Sequence, residues 1–431
     1  MANPSATTTK NTLASVDRRY VLGLLLLVYT SNFLDRQILT ILLESIKQDL
    51  HLSDTQLGFL SGIAFAIFYT TLGIPLARWA DKHNRVKLIS ACIALWSIMT
   101  AACGVAANFV QLAIARIGVG VGEAGCSPPA HSIISDYFAR EQRASAMSIY
   151  SLGIPLGSML GLLIGGWINE LYGWRMAFLC AGLPGVLLAV LVRFTIAEPK
   201  RGAVDNTTSA AVAQLSLRQV FATLWQSRAF RYLSLATAAL AMMSFGGATW
   251  LPAFLMRSHG MSSGQVGTAL ALISGLGGLA GTLLGGFLAD RYGNRDVRWY
   301  AWLPGIALLI GFPFSVLAML TSSPALVLAL IVIPSIVPAI HAGPVFSTVQ
   351  TLAPLPMRSM ATAVLLFVVN LIGMGLGPQL VGIISDLLSA SYGQESLRYT
   401  LLFSSSVAIV AAALYFMAGK HLASELGENH R

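Results

Sequence analysis

Four charged side chains interrupt apolar stretches of this sequence, and their types and spacing can do chemistry: the neighbours Asp35 and Arg36, then Arg116 and Glu123. Arg116 and Glu123 are seven apart, two helical turns, so on one helix they share a face. Between them runs Ile117-Gly118-Val119-Gly120-Val121-Gly122, whose glycines let a backbone or a ligand approach closely. In a membrane each such charge costs roughly 2.5 to 3.5 kcal/mol at mid-bilayer on insertion scales, so their face must line a cavity. Two acids and two bases are formally neutral together, and guanidinium groups stay protonated in any environment. The acids are therefore the switchable members. Burial favours a neutral carboxyl and a nearby guanidinium favours a charged one, so moving Asp35 or Glu123 relative to Arg36 or Arg116 can load and unload a proton. A static buried ion-pair network is the alternative the same residues allow. Asp35 and Arg36 point about 100° apart, so at most one of them faces a given partner squarely.

The elements that must carry these residues are membrane helices. The chain has 431 residues, of which 55% are hydrophobic and 10% charged. Soluble proteins average about 25% charged, so a polytopic membrane protein is expected. The net charge of +9 does not point to nucleic acid, because the basic residues are spread over short connections and form no arm or patch. Cys92, Cys103, Cys126 and Cys180 all fall in apolar segments without a C-x-x-C pair and read as packing residues. No metal spacing and no nucleophile with a base is visible, so an enzyme is not expected.

With about 20 apolar residues per span, twelve helices are predicted. They lie near 19–42, 55–77, 86–106, 110–134, 142–167 and 174–195, then 231–255, 264–288, 300–320, 324–349, 359–386 and 397–419. Residues 1–16 read as a disordered tail, 17–195 as one six-helix bundle, 196–230 as a linker, 231–420 as a second bundle and 421–431 as a second tail. Arg18-Arg19 ahead of an apolar run superficially resembles a signal peptide, but Asp35-Arg36 interrupts the run and a retained first helix is expected. Lys and Arg crowd the even-numbered connections, while the other side holds only Lys47, Arg175, Arg257 and Arg398. That bias puts both termini in the cytoplasm.

The halves repeat. Asp81-Lys82-His83-Asn84-Arg85 follows helix two and Asp290-Arg291-Tyr292-Gly293-Asn294-Arg295 follows helix eight, an offset of 290 − 81 = 209. Arg143 and Arg358 open helices five and eleven, offset 358 − 143 = 215, and Arg175 and Arg398 open helices six and twelve, offset 398 − 175 = 223. Repeats of this size build many transporter folds. In helix five Gly153, Gly157 and Gly161 share a face around Pro155, and Gly373, Gly377 and Pro378 do the same in helix eleven. Gly120-x-Gly122-x-x-Gly125 formally matches a dinucleotide fingerprint but lacks the preceding strand and the βαβ unit.

The two Asp-containing connections resemble the paired signature of the major facilitator superfamily, and the resemblance covers nearly the whole chain. It implies an all-α fold of twelve transmembrane helices in two pseudo-symmetric six-helix bundles, with Asp81, Arg85, Asp290 and Arg291 as gating residues. Asn32-Phe33-Leu34-Asp35-Arg36, the run from Arg116 to Ala124, Ser127-Pro128-Pro129-Ala130 and Ile134-Ser135-Asp136-Tyr137-Phe138 are similar to the spinster-type lipid transporters of that superfamily. That resemblance implies proton-linked movement of lysophospholipids or sphingoid lipids such as sphingosine-1-phosphate. It carries proton coupling and headgroup binding over to Asp35, Arg36, Arg116 and Glu123.

Under the repeat offset the related part of helix seven, around Ser244-Phe245-Gly246, and that of helix ten carry no charge. A cavity with one charged wall and one apolar wall suits an amphipathic molecule. Candidate lining residues are His131, His341, Phe346, Gln350, Phe367 and Asn370; His131 is eight after Glu123 and would share its face. The expectation is a secondary transporter of alternating access in a bacterial cell (inner) membrane, working as a monomer. Its partners would be membrane lipids, protons and an amphipathic small molecule, with no cofactor beyond a proton gradient. Transport of small organic anions or drugs is the rival reading, and a lipid scramblase or a non-transporting sensor the rival from another class.

Overall fold

In a computed structural model, residues 17–201, 217–293, 295–354 and 357–428 are described; the expected first tail and residues 202–216 of the expected linker lie outside them. Among the described residues there are helices and no strand. The first half comprises α1 (Arg18–Leu50), α2 (Asp54–Ser61), α3 (Ile63–Ala80), α4 (Arg85–Gly104), α5 (Phe109–Ala124), α6 (Ser127–Tyr137), α7 (Arg140–Ser151), α8 (Gly153–Tyr172) and α9 (Trp174–Thr195). After α10 (Leu217–Gln226) the second half follows: α11 (Arg228–His259), α12 (Ser263–Gly293), α13 (Trp299–Leu320), α14 (Pro324–Ile340), α15 (Ala342–Leu352), α16 (Arg358–Val368), α17 (Gly377–Tyr392), α18 (Ser396–Ser405) and α19 (Val407–Glu428). A π-helical segment, Val369–Leu376, joins α16 to α17.

Apart from α10, the described pieces form twelve rods, because α2 and α3, α5 and α6, α7 and α8, α14 and α15, α16 and α17, and α18 and α19 are each one broken rod. Composition explains why the rods are helical: among the described residues ten stretches are long and apolar enough to cross a membrane, and the last of them, Met360–Glu425, contains two rods. Only helices and closed barrels satisfy their backbone groups inside a bilayer. Polar side chains mark the starts. Ser53 and Gln56 form a capping box at α2, and Asn84, Asn108, Ser227 and Ser323 each accept a backbone N–H one turn on. The first rod runs eight residues past its predicted end, because Glu44 and Lys47 find polar partners and so do not end the helix. Similarly the last helix continues to Glu428, and α10 occupies part of the expected linker.

Apolar packing shows how the halves meet. One cluster of buried residues lies near the ends of the rods remote from the chain termini and joins both halves: Ile41, Leu42, Leu57 and Leu60 pack with Trp250, Phe254, Val266 and Val381. Toward the face that carries the termini there are two clusters instead. One contains Val21, Leu25, Ile89 and Ile133 of the first half, and the other contains Phe230, Leu303, Val345 and Tyr415 of the second. The halves therefore share a core at the distal face and diverge toward the terminal face. Contacts between them run through α8 with α12, α2 with α17, and α3 with the π-helical segment.

Candidate functional site

The charged residues singled out in the first half converge at the middle of the rods. Arg36 Nε donates to Glu123 Oε2 at 2.6 Å, joining α1 to α5. The Glu123 side chain is fully buried and that of Arg36 is 17% exposed. The guanidinium of Arg36 lies over Tyr69, Phe33 and Phe65, 4.4, 4.9 and 5.0 Å from their ring centres. Aromatic faces stabilise a desolvated cation, so the pair sits in an aromatic box on one side and in the bundle on the other.

Asp35, one residue earlier, turns the other way. It is buried and accepts from Thr100 Oγ1 of α4 at 3.3 Å. Arg116, also buried, donates to the carbonyl of Leu60 at 3.5 Å and lies 5.5 Å from the Phe65 ring centre. That carbonyl is available because the second rod breaks at Gly62, and a helix end leaves carbonyls without intrahelical partners. Small residues hold the three helices at this spacing. A Cβ at Gly157 would lie 2.8 Å from Phe33 Cβ, and one at Gly122 would lie 2.7 Å from the backbone nitrogen of Trp96. The glycines predicted to share a face do so against the charged turn of α1.

Among the described residues the second half has no counterpart at this depth. The buried charged residues described are Asp35, Asp54, Arg85, Arg116 and Glu123, all from the first half, and the nearly buried Arg257 of the second lies at the distal face. Buried polar residues of the second half are limited to Ser, Thr and Gln among the described residues.

Two regions that the sequence reading did not connect form a network across the distal face. Asp54, at the start of α2, accepts from both terminal nitrogens of Arg257 of α11, 2.8 Å each. Lys47 and Ser385 also donate to it, each at 2.6 Å. The Nε of Arg257 donates to Glu44. Asp386 in turn accepts from the backbone N–H groups of Asp54 and Thr55, at 3.0 and 2.7 Å, so a carboxylate of the second half caps a helix of the first. Above this network lies a vestibule of about 820 Å³ lined by Gln48, Asn169, Arg257 and Asp386 among others. The available signal was weak: Arg257 is one of four basic residues in the distal connections, and its partners lie about two hundred positions away.

At the terminal face the expected gating residues separate. Asp81, Asp290 and Arg291 are exposed, and among the described residues none of their side chains bonds to the opposite half. Arg85 is instead buried within its own half, donating to Asp136 at 2.5 Å, Glu198 at 2.7 Å, Ser132 at 2.7 Å and the carbonyl of Pro199 at 3.0 Å. It fixes the start of the linker to α4 and α6.

The remaining candidates are scattered. His131 does not keep the helical register of Glu123, because the rod breaks at Gly125-Cys126; its ring packs edge-on against Tyr150. His341 caps α14, and its Nδ1 lies against the carbonyl of Pro338. Phe346 packs on the apolar cluster of the second half, Gln350 and Phe367 are exposed, and Asn370 lies in the π-helical segment. Asn32, Trp96, Thr100, Phe65 and Tyr69 complete the charged site without having been singled out individually for it.

A two-lobed helical membrane protein, with buried charge at mid-depth in one lobe and a bonded distal seam, is built as a transporter. The chain belongs to the Major Facilitator Superfamily, which residues 25–378 match. An MFS-type efflux pump of Mycolicibacterium smegmatis is 34% identical over 95% of this chain and 94% of its own length. Protein spinster homolog 1 of Xenopus laevis is 26% identical over 92% of this chain and 80% of its own length. Among solved structures, a bacterial homologue of the human lysosomal transporter spinster, in an inward-facing and unoccupied conformation, superposes with a TM-score of 0.87. It is 33% identical and covers 95% of this chain and 98% of its own. The protein is a spinster-like transporter of the superfamily.

Proposed function

We propose that this protein is a proton-coupled transporter that moves an amphipathic lipid, such as a lysophospholipid or a sphingoid phosphate, by alternating access. The observation that carries the reading is the Arg36–Glu123 pair at mid-depth, facing a half that, among the described residues, contributes no buried charge at that depth. A polar headgroup would meet Arg36 and Arg116, and an acyl tail would lie along the second half, where Phe346, Phe367 and Asn370 supply mostly apolar surface. Asp35 and Glu123 are the groups that exchange protons. A proton on Glu123 removes one charge of the pair with Arg36 and frees the guanidinium for an anionic headgroup.

The shared core at the distal face and the separate cores at the terminal face correspond to a wedge open on the side of the termini. By the distribution of Lys and Arg this side is the cytoplasm, in a cell membrane, so the conformation is the inward-open one. In the opposite conformation Asp81 and Asp290, with the basic residues beside them, would close the terminal face while the Asp54–Arg257 contacts part. No cofactor takes part beyond the proton gradient, and the two bundles of one chain suffice for the cycle as a monomer.

The test is uptake of labelled lysophospholipid by proteoliposomes under an imposed pH gradient. Gradient-stimulated uptake that is lost in Glu123→Gln and Asp35→Asn supports the reading; flux indifferent to the gradient would instead mark a scramblase and overturn the coupling. A second reading, efflux of small organic anions or drugs, is favoured by the relative named an efflux pump and by the unpartnered Nη1 of Arg116, which suits a carboxylate. Inhibition by short-chain anions but not by lysophospholipid would select it.

A further inference from the structure

The repeat that relates the two halves also relates their distal seams, residue by residue. At the start of α2, Gln56 N–H donates to Ser53 Oγ at 3.2 Å and Ser53 N–H donates to Gln56 Oε1 at 3.0 Å. The start of α12 carries the same capping box: Gln265 N–H donates to Ser262 Oγ at 3.4 Å, and Ser262 N–H to Gln265 Oε1 at 3.2 Å. The offsets are 262 − 53 = 209 and 265 − 56 = 209, the same as that of the two Asp-containing connections. A capping box leaves other N–H groups of the first turn to find acceptors elsewhere. At both helix starts the acceptor is an acid of the opposite half. Asp54 and Thr55 N–H donate to Asp386 of α17, at 3.0 and 2.7 Å, and Gly264 N–H, 209 after Thr55, donates to Glu170 Oε2 of α8 at 2.8 Å.

The two acids are repeat partners as well. Gly157 and Gly161 precede Glu170 in α8 as Gly373 and Gly377 precede Asp386, with offsets 373 − 157 = 216, 377 − 161 = 216 and 386 − 170 = 216. Each acid-bearing rod packs tightly on the helix start that its acid meets. A Cβ at Gly166 of α8 would run into the backbone oxygen of Ser263, and one at Gly382 of α17 into that of Asp54. The seams differ at one matched position, 263 − 54 = 209. Asp54 gathers Lys47, Arg257 and Ser385 on its seam, whereas Ser263 donates to the carbonyl of Gly166 at 2.9 Å and Trp167 Nε1 donates to Thr268 at 3.0 Å.

We propose that Glu170 and Asp386 are paired gating residues, forming two matched acid-to-helix clasps, one on each seam, that hold the distal face shut and part together when it opens. A carboxylate at a helix start is favoured by the positive end of the helix and by the unsatisfied N–H groups there. Both bonds join opposite halves, so both break when the halves separate at this face. Water then takes over the carboxylates and the N–H groups. Glu170 is exposed and Asp386 half-buried, so that exchange is modest in cost and reversible, as a contact made and broken in every cycle requires. Glu170 thereby gives the α8–α12 seam the cross-half carboxylate that Asp386 and the Arg257 network give the other.

This inference rests on the alternating-access reading above but not on the lipid or the proton. Its test measures how often the distal face opens. In purified full-length protein with Cys180→Ser, a cysteine is placed at Leu57 of α2 or at Val266 of α12, both fully buried in the cluster shared by the halves. A maleimide reaches such a site only through opening, so the labelling rate follows the open population. Glu170→Ala and Asp386→Ala should each raise the rate about threefold at both reporters, and the double variant about tenfold. Glu170→Gln, which keeps an acceptor and loses the charge, should raise it less than Glu170→Ala. Native Cys92 and Cys126, buried within the first half, should stay unlabelled, which separates a parted seam from a loosened fold. Unchanged rates, a rise confined to the reporter beside the altered acid, or labelling of Cys92 and Cys126 at a matching rate would overturn the proposal. Raised rates in a protein that moves no lysophospholipid would uphold the clasps and remove the lipid reading.

Discussion

The two six-helix halves have one architecture and opposite interiors. In the first, α1, α4 and α5 bury Asp35, Arg116 and Glu123 among close-packed glycines; in the second, α11 places Ser244 at 35 + 209 = 244, the position the repeat assigns to Asp35. Ser244 is neutral, and its hydroxyl has no hydrogen-bond partner. A repeated fold therefore fixes where helices cross without fixing what lies at the crossing. The difference teaches that the first half is specialised for charge and that the second offers surface, a division suited to a molecule with a polar end and an apolar end.

The comparison is broken most severely by removing one member of the buried pair. Arg36→Leu leaves Glu123 buried without its cation and should destabilise the folded protein by about 3–5 kcal/mol, read by thermal unfolding in detergent, with transport reduced to background. Next is the terminal face. Arg85→Ala strips Asp136, Glu198, Ser132 and the Pro199 carbonyl of one shared donor and should cost about 3 kcal/mol, whereas Arg291→Ala, at an exposed site of the second copy, should leave the unfolding temperature unchanged. An equal loss for both would deny that burial among partners sets the cost at this face.

At the distal seam, Arg257→Ala should cost about 1.5–3 kcal/mol and shift the conformational balance toward distal opening. Spin labels at Gln48 and Gln394, with Cys180 replaced, would report it as a population at longer distance; an unchanged distribution would show that apolar packing alone closes that face. Smallest of all, Ser244→Ala should change stability by no more than about 0.5 kcal/mol and leave the pH response of transport intact. A large effect there would mean that the second half also takes part in proton exchange.

Much of the site was legible because a charge in an apolar run has no bland explanation. Asp35, Arg36, Arg116 and Glu123 stand out by that rule, and three of the four turned out buried. Legibility ended where direction and distance mattered. The 100° between Asp35 and Arg36 says that they diverge but not that Arg36 takes the aromatic box and Asp35 takes Thr100. The register from Glu123 to His131 fails because Gly125-Cys126 breaks the rod, and nothing local to Arg85 shows that its partners, Asp136 and Glu198, belong to its own half.

The sequence by itself determined the twelve apolar spans, their pseudo-repeat and the confinement of mid-membrane charge to one half, because hydrophobic length and the cost of a buried charge are local properties that composition expresses directly. The tertiary structure alone decided which end of the wedge is closed. That depends on Asp54, Arg257, Asp386 and Glu44 meeting across the halves, and pairings between residues about two hundred positions apart are set by how two rigid bundles rest on each other, which no local pattern encodes.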